Sequence, residues 1–344
     1  MTVEVGRTPE HEDAGGRPAG VERFLRGAAW PSGAGATYPR ADPADVGRLP
    51  ADTWGTATLP VGVRLELVGD AVALDLTYVT TTEDMGYRGP GAGTTFTVWR
   101  DGQQVDEQPA ALGSGTVRLT VGAGEGRAIV YLPEGMKPSL TALAGVGGTI
   151  EPAPRQPRWL AYGDSIAEGW IASGPAGAWP AIAGRDQGLD VVNLGYAGSA
   201  RGEIVSAEHV AALDADVISI THGTNCWTRI PYSVDMMRST TDAFLRIVRD
   251  GHPRVPIVVA SPVVRPDAES TPNKLGATLA DLRAAMEEAT QVRIDAGDER
   301  LTLVPGAAVL DPALLADGVH PGDEGHAVLA GAFGAAVRAA LGRS

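Results

Sequence analysis

The chain has 344 residues, 44% of them hydrophobic and 20% charged, a globular composition with length enough for two domains and unlike that of disordered or fibrous chains. Its net charge is −14, from 28 Lys+Arg against 42 Asp+Glu with no basic cluster, which speaks against nucleic acid and anionic membranes as partners. The single cysteine, Cys226, excludes an intramolecular disulfide.

Residues 1–20 are polar, glycine-bearing and without periodicity, and read as a flexible arm. They hold no apolar signal segment, and runs such as Ile257 to Val264 are too short to span a bilayer, so the expected location is cytoplasmic. Residues 21–150 read as one N-terminal domain. Within it Val61 to Val68 and Val72 to Val79 alternate apolar and polar side chains, and Thr94 to Arg100, Gly115 to Val121, Ala128 to Leu132 and Leu140 to Val146 continue the pattern. Half-buried strands at regular spacing predict an antiparallel, jelly-roll-like β-sandwich. Its aromatic residues Tyr38, Trp54, Tyr78, Tyr87, Phe96, Trp99 and Tyr131 either fill the core or stack sugars.

Three prolines in 151–157 predict a stiff, extended linker. From 158 to 344 the period changes. Trp159 to Tyr162, Val191 to Leu194, Val217 to Ile220, Ile257 to Ala260 and Leu301 to Val304 read as buried strands, with helical segments between them. Leu275, Leu279, Leu282, Met286 and Ala289 share one helical face, and Val328, Leu329, Ala332, Phe333, Ala336 and Val337 share another. The alternation predicts a parallel sheet covered on both faces.

Parallel sheets bind ligands at the carboxyl ends of their strands. Four such places carry polar or glycine-rich sequence: Gly163-Asp164-Ser165-Ile166, Asn193-Leu194-Gly195, Gly223-Thr224-Asn225, and Asp317 with His320. Taken together they supply acyl-transfer chemistry. A serine hydroxyl needs a base to take its proton, and a histidine base needs its other ring nitrogen tethered. A carboxylate three residues earlier reaches back to it, with Gly318 allowing the sharp turn. An oxyanion needs donors, and the amides of Ser165 and Gly195 with the side chain of Asn225 are candidates.

Each motif alone has a plainer reading. Gly-Asp-Ser is also a helix N-cap, Asp-x-x-His also a cap or half of a metal site, and Gly-Thr-Asn also a turn. Cys226 beside His222 reads as a small buried residue. His326, His209 and His252 read as surface, capping or helix-end residues, and His11 lies in the arm. Trp170 and Trp227 either wall an acyl or alcohol pocket or simply pack. Arg201 either grips an anionic substrate or forms a salt bridge.

The order of the four motifs resembles that of the SGNH (GDSL) hydrolase superfamily over about Trp159 to Leu341, in a branch often fused to an N-terminal β-sandwich. The resemblance implies a flavodoxin-like three-layer α/β/α domain. It implies Ser165 as nucleophile, His320 as base, Asp317 as its orienting partner, and Ser165, Gly195 and Asn225 as oxyanion donors. The implied activity is a serine esterase on a small or carbohydrate-type ester. Transfer of the acyl group to a hydroxyl acceptor and non-catalytic glycan binding remain as alternatives. No metal or cofactor is expected. Two positions depart from the family pattern: Ile166 stands where Leu is usual, and Cys226 follows Asn225 where Asp is common.

Overall fold

The computed structural model describes residues 20–83, 93–122, 124 and 126–342. The arm, with His11, and Tyr87 lie outside the described residues, Gly20 excepted.

The first half is antiparallel. After β1 (Leu25–Arg26) and a helix α1 (Ala51–Ala57) come β2 (Arg64–Val68), β3 (Ala73–Thr80), β4 (Thr95–Arg100), β5 (Gln103–Pro109), β6 (Gly113–Thr120), β7 (Ala128–Tyr131), β8 (Ser139–Val146) and β9 (Glu151–Pro152). One sheet runs β1-β2-β7-β4-β5 with β9 beside β2, and a second runs β6-β3-β8. Leu65, Leu67, Leu74, Leu76, Phe96, Val98, Leu119 and Val130 meet in the core between them. The period-two pattern of β3, alternately buried and half-buried, is what a strand with one covered face requires. Tyr78, Phe96 and Tyr131 are buried, and Arg185 covers one face of Trp99 at 4.1 Å, so these aromatics pack.

The sequence reading missed β5. Its residues Gln-Gln-Val-Asp-Glu-Gln-Pro form an exposed edge strand with no buried face to impose a pattern. The stretch between Ala28 and Pro60 also departs from the sandwich reading. Ala41, Leu49 and Ala57 join the core of the second half, and Trp30 and Trp54 pack against it. Nor does the proline-rich stretch run free: β9 pairs with β2, Ala153 N–H donates to the Glu66 carbonyl, and Arg26 donates to the Ala153 carbonyl at 2.7 Å.

The second half alternates strand and helix: β10 (Arg158–Gly163), α2 (Ser165–Glu168), α3 (Trp179–Gln187), β11 (Asp190–Gly195), α4 (Ile204–Ala212), β12 (Val217–Thr221), α5 (Val234–Gly251), β13 (Ile257–Ala260), α6 (Leu279–Asp295), β14 (Leu301–Val304) and α7 (Asp323–Leu341). The five strands are parallel in the order β11-β10-β12-β13-β14. Leu160, Tyr162, Ile218 and Ile220 face one layer with Val210, Phe244, Leu245 and Met286. Trp159, Ala161, Val258 and Ala260 face the other with Trp179, Ala183, Phe333 and Val337. The result is a flavodoxin-like three-layer α/β/α unit preceded by an antiparallel sandwich.

Two helical stripes differ from their predicted membership. Thr278 caps α6, accepting from Asp281 N–H while the Asp281 carboxylate accepts from Thr278, so Leu275 falls in the preceding loop and is 51% exposed. In α7 the buried face is Leu329, Ala330, Phe333, Val337 and Ala340, while Val328 and Ala332 face outward. An alanine-rich helix blurs its own stripe, because alanine suits either face. No described helix is long and apolar enough to cross a membrane.

The halves meet along the edge strand β11. Arg64 on β2 bonds the Val191 carbonyl at 2.9 Å and the Asp190 carboxylate at 2.9 Å in a buried seam.

Candidate active site

Ser165 opens α2 directly after β10. Asp164 caps it, its Oδ1 accepting from Ile166 N–H at 3.0 Å, which turns the chain so that Ser165 stands at the strand end. His320 and Asp317 come from the loop before α7. Gly318 takes the left-handed φ of +81°, and Asp317 Oδ1 accepts from the N–H groups of Val319 at 2.9 Å and His320 at 2.7 Å. That local turn leaves Oδ2 facing the ring, 2.7 Å from His320 Nδ1. His320 Nε2 lies 2.8 Å from Ser165 Oγ.

Burial alone would raise the Asp317 carboxyl, but the hydrogen bonds from His320 and Val319 outweigh it and hold the group below its ordinary value. An ionised carboxylate only accepts, so Nδ1 carries the proton and Nε2 is left to accept from the serine. A hydroxyl, an imidazole and a carboxylate joined in this way can form and break an acyl–serine bond.

Three donors at the strand ends bond no acceptor among the described residues: the N–H groups of Ser165 and Gly198 and the buried Nδ2 of Asn225. The Asn225 carbonyl, by contrast, is used to close its own turn with Thr228. Gly195 differs from the sequence expectation. Its N–H donates to Asn193 Oδ1 at 2.8 Å, while Asn193 Nδ2 donates to the Ala167 carbonyl at 2.8 Å. The Gly195 amide is therefore occupied, and Asn193 staples β11 to α2. Gly198, three residues on, is exposed with φ +71° and open space around its missing Cβ. The sequence signal was present in Gly195-Tyr-Ala-Gly198, but spacing does not reveal which amide is already bonded.

Asp164 is a second residue whose role the sequence reading left at capping. Its buried carboxyl is pushed up to about 6 by desolvation, against the effect of hydrogen bonds from Ile166 and Thr224 and the nearby His320. Through Thr224 it ties the serine turn to the loop that carries Asn225.

The remaining candidates separate. Trp170 is half-buried with its ring 5.9 Å from that of His320, and forms a wall beside that imidazole. Trp227 donates to the Thr271 carbonyl at 2.8 Å and has the Arg265 guanidinium 5.0 Å from its ring, so it knits two rim loops together. Arg201 does not offer a free cation. Its guanidinium lies 2.8 Å from Asp52 and 3.8 Å from Glu203 and donates to the Gly198 carbonyl at 3.0 Å.

Cys226 is buried and donates weakly to the Arg201 carbonyl at 3.9 Å. Burial raises its thiol and pushes His222 down to about 4, so neither is poised as nucleophile or base. His326 is not at the surface: it is buried, 3.1 Å from the Trp170 carbonyl, and accepts from Trp179 N–H. His209 meets Asp45 at 3.0 Å, and His252 meets the Val210 carbonyl at 2.9 Å.

Comparison with curated protein sequences gives no match. Among solved structures the chain is similar to the salicylyl-acyltransferase SsfX3 from a tetracycline biosynthetic pathway, at 26% identity and TM-score 0.79, covering 92% of this chain and 94% of that one. A GDSL-like lipase candidate from Bacteroides ovatus shares 22% identity at TM-score 0.76, with 94% and 97% covered. A family two carbohydrate esterase from Clostridium thermocellum, in complex with cellohexaose, shares 17% identity at TM-score 0.63, with 82% and 93% covered. Residues 157–338 match the GDSL-like lipase/acylhydrolase family. That span runs from the strand before Ser165 to the helix after His320, and this chain belongs to that family of ester-acting enzymes.

Proposed function

We propose that this protein is a serine ester hydrolase working through an acyl-enzyme. The observation that carries the reading is the unbroken line from Ser165 Oγ through His320 to Asp317, with links of 2.8 and 2.7 Å. Ser165 attacks the ester carbonyl while His320 Nε2 takes its proton, and Asp317 holds the ring in that tautomer. The oxyanion accepts from Ser165 N–H, Gly198 N–H and Asn225 Nδ2. His320 then protonates the departing alkoxide, leaving the acyl group on Ser165. Water, deprotonated by the same imidazole, releases the acid. No metal or cofactor takes part. The substrate is a small or carbohydrate-type ester, with Trp170 flanking the group nearest the base.

A second reading is transfer of the acyl group to a hydroxyl of a sugar or natural product. It is favoured by the likeness to an acyltransferase over 92% of the chain, and it requires only that an alcohol replace water in the second step.

Ser165→Ala should remain folded and lose turnover of p-nitrophenyl acetate by several powers of ten, on the order of 10⁶ in a comparable triad. Near-normal turnover in a pure Ser165→Ala preparation would remove the assignment. Product analysis with added sugar or aromatic alcohols separates the readings, since a transferase forms a new ester where a hydrolase releases free acid.

A further inference from the structure

The loop from Gly195 to Arg201 carries the exposed Gly198 amide, and it is held from two sides. From within, Ala197 N–H donates to Glu168 Oε2 at 2.7 Å. From outside it meets the segment between β1 and β2, which lies beyond the family-matched residues 157–338. Arg40 of that segment is 1% exposed and donates to the Gly195 carbonyl. Its guanidinium also bonds the carbonyls of Leu59 at 2.8 Å and Thr56 at 2.6 Å, sits 3.4 Å from Glu168 and lies 5.2 Å from the Tyr196 ring centroid. The Tyr196 hydroxyl in turn donates to the Arg40 carbonyl at 2.7 Å. At the far end of the loop Asp52 holds Arg201, which holds the Gly198 carbonyl.

We propose that Arg40 is a positioning residue for the oxyanion-binding loop, fixing the direction of the Gly198 N–H through Gly195 and Glu168. The inference rests on the hydrolase reading above. The Gly198 N–H shares a planar trans peptide with the Ala197 carbonyl, so the two point in opposite directions. Thr56 Oγ1, on the Arg40 side, lies 3.5 Å from that carbonyl, which aims the amide away from the segment and toward the cleft. A buried ion pair is costly to desolvate and is weak evidence for stability. Its five donors in a fixed plane instead set the angles of several carbonyls at once. Arg40 thus brings a contribution from outside the family-matched region to the geometry on which catalysis depends.

The test compares full-length Arg40→Met, Arg40→Lys and Asp52→Asn with Arg100→Met. Arg100 is a matched control, 4% exposed and bonded to sandwich carbonyls at Gly69, Val121, Gly122 and Gly126. Arg40→Met should lower kcat on p-nitrophenyl acetate by about 10²-fold with KM little changed, as for one misplaced donor. It should also speed amide exchange across 195–201, with partial recovery of both in Arg40→Lys. Arg100→Met should lower the thermal midpoint and leave kcat intact. Should Arg40→Met not fold, Arg40→Lys carries the test by the same two readouts with a several-fold loss of kcat, while Asp52→Asn, a side chain 51% exposed, loosens only the Arg201 end of the loop. Unchanged kcat in folded Arg40→Met, equal losses in Arg40→Met and Arg100→Met, or unchanged exchange at 195–201 overturns the proposal. Exchange reports loop order whether or not Ser165 is the nucleophile, so failure of the hydrolase reading, seen as activity persisting in Ser165→Ala, is told apart.

Discussion

The two halves of the molecule use their strands differently. In the antiparallel half a strand such as β3 buries every second side chain, and its other face is spent on solvent and on cross-strand pairs such as Asp75 with Arg118. In the parallel half β11 and β13 are buried at every residue, so reactive side chains have no place along them and gather beyond the carboxyl ends. Ser165, Gly198 and Asn225 all follow strand ends, and His320 and Asp317 come from the loop that precedes α7. The sandwich supplies no member of this set. The segment between β1 and β2 contributes core packing and bonds to the loop from Gly195 to Arg201. Removing a member of this set should therefore act on turnover, whereas substitutions in the sandwich should act on stability.

Asn225→Ala puts that contrast to its severest trial. The Nδ2 atom is buried and bonds nothing among the described residues, so removing it forfeits no protein hydrogen bond. The expected loss is in kcat, by roughly 10²–10³ or about 2.7–4 kcal/mol, the usual cost of one oxyanion donor. KM should move little, because the donor grips the transition state harder than the ground-state carbonyl. If kcat holds while the thermal midpoint drops, Asn225 is a turn residue and the division between the halves fails at its most telling position.

Asp164 sharpens the comparison through pH. Its carboxyl titrates near 3.8 when unfolded, and burial pushes it up to about 6 in the fold. Below the lower value both states are protonated and nothing is lost. Between the two values the unfolded chain gives up its proton first, so stability falls as pH rises, by about 3 kcal/mol once both values are passed. Asp164→Asn cannot ionise and keeps an acceptor for Ile166 N–H. The stability gap in favour of the variant should open between about pH 4 and 6 and stay level above. Urea unfolding across that range measures it, and a gap independent of pH would mean that the buried carboxyl does not titrate this way. An exposed sandwich carboxylate such as Asp75, held below its ordinary value by Arg118, should act with the opposite sign.

The parallel half was readable because its signals are local. Fully buried strands show as apolar runs, and Asp317, Gly318 and His320 build their turn within four residues. In the antiparallel half alternation revealed β2, β3, β4, β6, β7 and β8, but the remainder was not readable, for physical reasons. The polar edge strand β5 left only its turn to read, Asp101-Gly102, with both residues at positive φ as a two-residue hairpin requires. Arg40 looks in sequence like any surface arginine, since nothing local reveals that it is buried between Thr56 and Gly195. The choice between Gly195 and Gly198 was illegible for the same reason, since nothing local reveals that Asn193 has already taken the Gly195 amide.

Those two glycines give the smallest and most discriminating prediction. A Cβ at Gly195 would stand 2.4 Å from Glu168 N and 2.8 Å from Glu168 Cα, backbone atoms that cannot swing aside. Gly195→Ala should therefore cost about 1–3 kcal/mol as an overpacked site, seen as a lower urea midpoint. At Gly198 nothing lies within 4 Å of the same atom, and the cost is that of a left-handed φ alone, roughly 1 kcal/mol. Because Gly198→Ala keeps its N–H, kcat per folded molecule should fall little, while KM rises for bulky esters that meet the new methyl. If Gly195 were the cleft-facing donor the order would invert. Its methyl would then point toward substrate and leave stability alone, and Gly198→Ala would leave KM unmoved for every ester. Unfolding midpoints and KM for a short and a bulky ester, taken on both variants, decide which glycine faces the cleft.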